Sequence, residues 1–173
     1  TAAIPTREDP LDILIMASPD GPTPTTLADL PEGARVGTAS LRRKAQILQV
    51  RPDLDIVPLR GNIGTRLTKL SPDGVVATVL AMAGLNRMGY TGSDWQALAP
   101  DVMVPAAGQG ALAVQCRADD KALIAQLAVL DDPDTRACVT AERSFLAELD
   151  GSCRTPIAAL AILDGANPQN ALL

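Results

Sequence analysis

The chain has 173 residues, 47% of them hydrophobic and 20% charged, which is enough apolar side chain for a core and too much for a disordered segment. Its formal net charge of -5 opposes attraction to phosphate backbones and anionic membrane surfaces. With one residue each of Trp95, Tyr90 and Phe145 as its aromatics, it also lacks a stacking platform for single-stranded nucleic acid. There is no histidine, which excludes a Ser-His-Asp triad, a Cys-His pair and any histidine-based metal site.

Proton transfer would therefore fall to carboxylates, Lys, Tyr, Cys or groups outside the chain. No apolar run approaches the length of about 20 residues that crosses a bilayer. The chain opens Thr1-Ala2-Ala3-Ile4, without a starting Met or a signal-peptide pattern, so the expectation is a soluble cytoplasmic protein with neither nucleic-acid nor membrane partners. Cys116, Cys138 and Cys153 are irregularly spaced with no C-x-x-C, which argues against zinc or any other metal centre and against a disulfide framework.

In chain order, residues 13–16 read as a short strand, followed by a loop over 18–26 in which Pro19, Pro22 and Pro24 forbid regular structure. A helical turn over 26–30, a turn at Pro31-Glu32-Gly33 and a brief strand at Arg35-Val36 come next. Ser40 is a natural N-cap for a helix over 41–50, with Leu41, Ala45 and Leu48 on its inner face. A strand over 55–59 then turns at Gly61-Asn62 into a helix over 63–70. Residues 75–80 form a continuous apolar run, as in strands covered on both faces. A helix over 83–88 ends at Gly89.

Further on, 111–115 reads as an apolar strand, and two helices follow over 121–130 and 133–149, the second with Pro133 in its first turn. A loop from Gly151 to Pro156 leads to an apolar run over 157–163. A last strand over 167–173 has no evident partner, and both ends are abrupt, as expected of a piece of a longer protein. Strands alternating with helices imply βαβ units, an α/β class and a mostly parallel sheet, with ligand-binding strand-to-helix loops on one edge.

Two such junctions carry arginine. One is Gly37-Thr38-Ala39-Ser40-Leu41-Arg42-Arg43 and the other is Arg60-Gly61-Asn62-Ile63-Gly64-Thr65-Arg66. Small residues let the backbone turn tightly and leave helix N–H groups open to an anion. Thr38, Ser40 and Asn62 add polar groups, and guanidinium forks suit carboxylates. Cations opening a helix oppose its dipole by about 0.3–1 kcal/mol, which a bound polyanion would offset. Arginine is mostly solvated on protein surfaces, but two junctions on one sheet edge favour the anion site over that alternative. Arg87 is either a fifth member or a surface residue. Cys153, between Ser152 and Arg154, is a reactive thiol or a small buried hydrophobe; the second description suits Cys116 and Cys138 better.

Seven stretches, in order, resemble the porphobilinogen deaminase family. They are Arg7-Glu8-Asp9-Pro10; Val36-Gly37-Thr38-Ala39-Ser40-Leu41-Arg42-Arg43; Leu59-Arg60-Gly61-Asn62-Ile63-Gly64-Thr65-Arg66-Leu67; and Ala83-Gly84-Leu85 with Arg87. Then come Pro105-Ala106-Ala107-Gly108-Gln109-Gly110-Ala111-Leu112, Ala141-Glu142-Arg143 and Gly151-Ser152-Cys153. The resemblance implies a transferase of tetrapyrrole and heme biosynthesis. It deaminates and joins four porphobilinogen molecules into hydroxymethylbilane on a dipyrromethane cofactor held by a thioether to Cys153. Each porphobilinogen loses ammonia to give an azafulvene, which the free α-carbon of the growing polypyrrole chain attacks. Thr38, Ser40, Arg42, Arg43, Arg60, Gly61, Asn62 and Gln109 would hold the cofactor, and Arg60, Arg66 and Arg87 the substrate, through the acetate and propionate arms.

The implied fold has three domains, the first two like the lobes of a type II periplasmic binding protein and the third a small α+β unit, usually in a monomer. Residues 1–10 would end the first domain and its hinge, 11–104 form the second, 105–128 return to the first, and 129–173 link to the third. The family's catalytic aspartate sits in a Lys-Asp-x-Pro loop that would lie upstream of Thr1. The chain therefore holds no catalytic residue and alone would be inactive. Asp9 and Asp12 match no part of that motif. The rival reading is a non-catalytic type II solute-binding or effector-sensing domain for an organic anion, which would need no thiol at Cys153.

Overall fold

The computed structural model describes residues 1–18, 20, 23–90, 97–151, 155–164 and 167–172. A five-stranded sheet, β1 (Asp12–Met16), β2 (Thr23–Thr25), β3 (Arg35–Gly37), β4 (Asp55–Val57) and β5 (Ala77–Ala81), runs in the order β2-β1-β5-β3-β4. The units β3-α1-β4 and β4-α2-β5, built with α1 (Leu41–Val50) and α2 (Ile63–Thr68), place β3 parallel to both β4 and β5. β1 is antiparallel to both β2 and β5, so the sheet is mixed rather than mostly parallel. The short link between β1 and β2 is too short for a crossover and forces a hairpin-like return.

The apolar alternation fixes which face each strand buries. Leu14, Val36, Ala77 and Val79 pack with Ile47 and Leu54 on one face, while Ile13, Ile15 and Leu80 pack with Leu67 and Leu85 on the other. The central run is thus covered on both sides, as its composition implied. Gly37 lets the layers close: a Cβ there would lie 2.7 Å from Leu59 Cδ2 and 2.8 Å from Val75 Cγ1. The remaining helices are α3 (Met82–Arg87), which ends at Gly89 with φ +76°, α4 (Lys121–Leu127) and α5 (Pro133–Glu148). The turns at 27–29 and 128–130 are 3-10. No helix among the described residues is long and apolar enough to cross a membrane.

Four further expectations are corrected. Within the proline-rich loop, residues 23–25 pair with β1, with Pro24 opposite Ile15. β2 is an edge strand, where a missing N–H is tolerated. The inner face of α1 is Arg42, Arg43 and Ile47, not Leu41, Ala45 and Leu48; Leu41 is 47% exposed. The helix is turned by what its arginines bind beneath it. Residues 111–115 form no strand but a single bridge, Ala3 to Val114, because they meet only the first residues of the chain. The apolar run over 157–163 is mostly irregular: Ala159 N donates to Pro105 O at 3.0 Å and Ala161 N to Glu142 Oε1 at 2.9 Å. Only β6 (Ile162–Asp164) is left to pair, and it does so antiparallel with β7 (Asn167–Leu172), so the last strand has a partner after all.

Candidate functional site

The first corner is organised from below. Ser40 Oγ caps α1 by accepting from Arg43 N at 3.4 Å, and Thr38 Oγ1 accepts from Ser40 N at 3.2 Å. Beneath the helix start lies Asp12, fully buried. Its Oδ1 accepts from Arg43 Nη2 and from Gln109 Nε2, each at 2.8 Å. Its Oδ2 is 2.8 Å from Arg42 Nη1, an ion pair without hydrogen-bond alignment. Arg42 Nη1 donates to Val104 O at 2.6 Å and Arg43 Nη1 to Val79 O at 3.0 Å. Arg42 Nη2 reaches Gln109 Oε1 at 3.3 Å. Burial, opposed by the neighbouring Asp12 carboxylate, pulls Arg42 below the ordinary arginine value. Arg43 Nε is buried with no partner, an orphaned donor of the kind that costs free energy unless something meets it.

The second corner is more open. Asn62 Oδ1 caps α2 by accepting from Thr65 N at 2.8 Å. Gly61 adopts φ +127°, and its carbonyl accepts from Arg66 Nε at 2.8 Å. The Arg60 carbonyl accepts from Lys69 Nζ at 3.1 Å, while the Arg60 guanidinium has no acid or carbonyl partner among the described residues. Arg66 is pulled below its ordinary value by burial and then by the charge of Arg43, so the two corners share one electrostatic neighbourhood. A cavity of about 180 Å³ between them is lined by Thr38, Ser40, Lys44 and Arg60, with Ile56 and Pro58 among its walls.

The four junction arginines therefore do not line one cavity. Arg60 joins Thr38 and Ser40 there; Arg42, Arg43 and Gln109 surround Asp12; Arg66 stands beside Arg43. Arg87 Nη2 donates to Gly110 O at 2.8 Å. Cys153 lies outside the described residues. Among the described residues no group of three or more His, Cys, Asp or Glu is placed to hold a metal ion.

Sequence reasoning missed two groups. Asp12 opens β1 ahead of an apolar run and gave no sign of its partners. The second is Arg7 with the fully buried Glu142. Arg7 Nη1 and Nη2 donate to Glu142 Oε1 and Oε2 at 2.7 and 3.0 Å, and Arg7 Nε donates to Gln109 O at 2.8 Å. Glu142 also accepts from Gly108 N at 2.6 Å. Gln109 thus joins both buried ion clusters, and its side chain donates to Pro10 O at 2.6 Å. The available signal was a charged residue on the otherwise inward face of a long helix, one turn beyond Val139.

Fold and site together define an α/β domain with two capped strand-to-helix corners whose donors suit carboxylates. Residues 1–125 match the family model described as porphobilinogen deaminase, dipyromethane cofactor binding domain, and residues 136–172 match the porphobilinogen deaminase C-terminal domain. The chain is 51% identical over 164 residues to a porphobilinogen deaminase of Roseiflexus sp. (strain RS-1), covering 95% of this chain and 52% of that one. It is 52% identical over 159 residues to that of Brevibacillus brevis, covering 92% and 50%. The chain belongs to the porphobilinogen deaminase family and carries its dipyrromethane cofactor-binding domain. It spans about half the length of the curated relatives it matches.

The donor set fits that cofactor. An unpaired Arg60 and the hydroxyls of Thr38 and Ser40, lining one cavity, suit a group that carries several carboxylates.

Proposed function

We propose that this chain is the cofactor- and substrate-binding part of a hydroxymethylbilane synthase, which joins four porphobilinogen molecules on a dipyrromethane primer attached at Cys153. The observation that carries this reading is the cavity lined by Thr38, Ser40 and the unpaired Arg60, set between two capped helix starts within the family-model match.

The residues act by binding and orienting. Arg60 offers a two-pronged donor to one carboxylate arm, and the Thr38 and Ser40 hydroxyls remain free to donate while their oxygens hold the corner together. Gly61 and Asn62 shape the turn that presents Arg60, and Arg66 adds charge from the same turn. Arg42 and Arg43, fixed by Asp12 and Gln109, supply a positive interior wall that costs no reorganisation when an anion arrives. Arg87 contributes to substrate binding from the end of α3. When bound, the dipyrromethane supplies the free pyrrole α-carbon to which the next unit is joined.

The domain plan that accompanies this reading has two lobes like those of a type II periplasmic binding protein and a third small domain. Residues 1–10 end the first, 11–104 form the second, 105–128 return to the first and 129–173 lead into the third. Buried contacts between 7–12, 104–110 and α5 support a junction at those boundaries. The protein works as a cytoplasmic monomer on porphobilinogen and the growing polypyrrole. The sequence contains no Lys-Asp-x-Pro loop, so the chain alone forms no hydroxymethylbilane from porphobilinogen; product from the isolated chain would refute that point.

Peptide mapping of the tetrapyrrole-forming protein tests the assignment. The Cys153 peptide should carry the added mass of two pyrrole units. An unmodified Cys153 in active protein would refute the attachment at Cys153, whereas a full-length protein that forms no tetrapyrrole and carries no adduct would leave the organic-anion-binding module.

A further inference from the structure

Lys44 lies in the first turns of α1, exposed to solvent, and lines the same cavity as Thr38, Ser40 and Arg60. Its backbone N–H donates to Ser40 O at 3.0 Å, yet among the described residues its ammonium has neither an acid nor a carbonyl partner. The first turn of α1 holds no acidic residue, so this cation stands against the positive end of the helix with nothing local to offset it. Asp12, which compensates Arg42 and Arg43, is buried beneath the sheet side of the helix and is shared between those two.

Two unpaired cations facing one small cavity repel each other and gain nothing from each other's company. An anion between them reverses the sign. We propose that Lys44 is a second cationic binding residue of this cavity, closing with Arg60 on the carboxylate of a pyrrole acetate or propionate arm. The inference rests on the function proposed above and adds a residue to that same site. The two cations divide the work by chemistry. Arg60 is a planar fork that fixes the direction of a carboxylate, whereas Lys44 is a point charge on a flexible stem that follows an arm of either length.

Calorimetric titration of porphobilinogen into the chain and four variants tests it. Lys44→Gln should weaken binding about three- to fivefold at low salt, the size of a solvent-exposed charge contact. That loss should fade toward zero near about 0.5 M salt as screening shortens. Lys44→Arg, which keeps the charge, should stay within about twofold of the unaltered chain. Lys121→Gln, a lysine whose ammonium sits on Ala118 O, should change nothing, and Arg60→Ala should weaken binding more than Lys44→Gln. Equal affinity of Lys44→Gln and the unaltered chain, with Arg60→Ala still weakened, overturns the role of Lys44 and leaves the carboxylate site standing. An equal loss in Lys121→Gln also overturns it, because the effect is then the general field. No binding by the unaltered chain, or none lost in Arg60→Ala, removes the site and the inference together.

Discussion

At the 37–40 corner both guanidinium groups turn inward, and Arg42 and Arg43 end 5% and 8% exposed against the carboxylate of Asp12. At the 60–62 corner the Arg60 guanidinium lines a cavity and meets no acid. The two corners use the same ingredients: small residues, a polar helix cap, and arginines within a few positions. The difference lies in what waits underneath. Asp12, Val79 O and Val104 O saturate most of the first pair, so those arginines tie the start of α1 to the sheet and to residue 104 more than they offer donors. A buried ion cluster is costly to break, whereas an exposed unpaired cation can be removed with little effect on folding.

That contrast can be broken by substitution. Asp12→Ala should cost about 3–5 kcal/mol in chemical denaturation, because it leaves two buried guanidinium groups without their carboxylate. A loss under about 1 kcal/mol would mean that water already compensates them. Glu142→Ala should fall in the same range of about 3–5 kcal/mol, since it strands Arg7 and the N–H groups of Gly108 and Ala161. Ser40→Ala removes a helix cap and should cost about 1 kcal/mol by the same measurement. Arg60→Ala should shift stability by less than about 0.5 kcal/mol.

The pH response sharpens the comparison from the other side. Hydrogen bonds from Arg136 and from Ile4 N hold the Asp131 carboxyl below the usual range, and Arg51 does the same for Asp53. A carboxyl depressed in the folded chain adds stability that is present above its unfolded value near 3.9 and is lost as pH falls through the folded one. Thermal midpoints should therefore hold steady from about pH 7 to 5 and drop below about pH 4. Replacing Asp131 with Asn should flatten part of that drop. A midpoint that rises on acidification would contradict the assignment.

The fold was legible where periodicity and capping agree. Ser40, Asn62 and Gly89 mark helix ends at or within a residue or two of where they occur, and the 75–80 run was recognisable as a doubly covered strand. The edge strand at 23–25 was hidden by its prolines, because sequence does not say which strand lies at an edge. Residues 111–115 have strand composition but lack a ladder of partners, and partner availability is a tertiary property. The candidate site was half legible. Arg60, Thr38 and Ser40 meet in one cavity as their junctions implied, but nothing local to Arg42 and Arg43 revealed a carboxylate about thirty positions earlier in the chain. Lys44 was passed over because one lysine on a helix is usually solvated.

The most direct test of this division of labour compares Arg60→Ala with Asp12→Asn in two readings on each protein, thermal midpoint and porphobilinogen affinity. Arg60→Ala should keep its midpoint and lose about tenfold or more in affinity, the size of a charge-assisted contact, whereas Asp12→Asn should lose midpoint first. The reverse pattern, a destabilised Arg60→Ala that binds normally, would contradict the account.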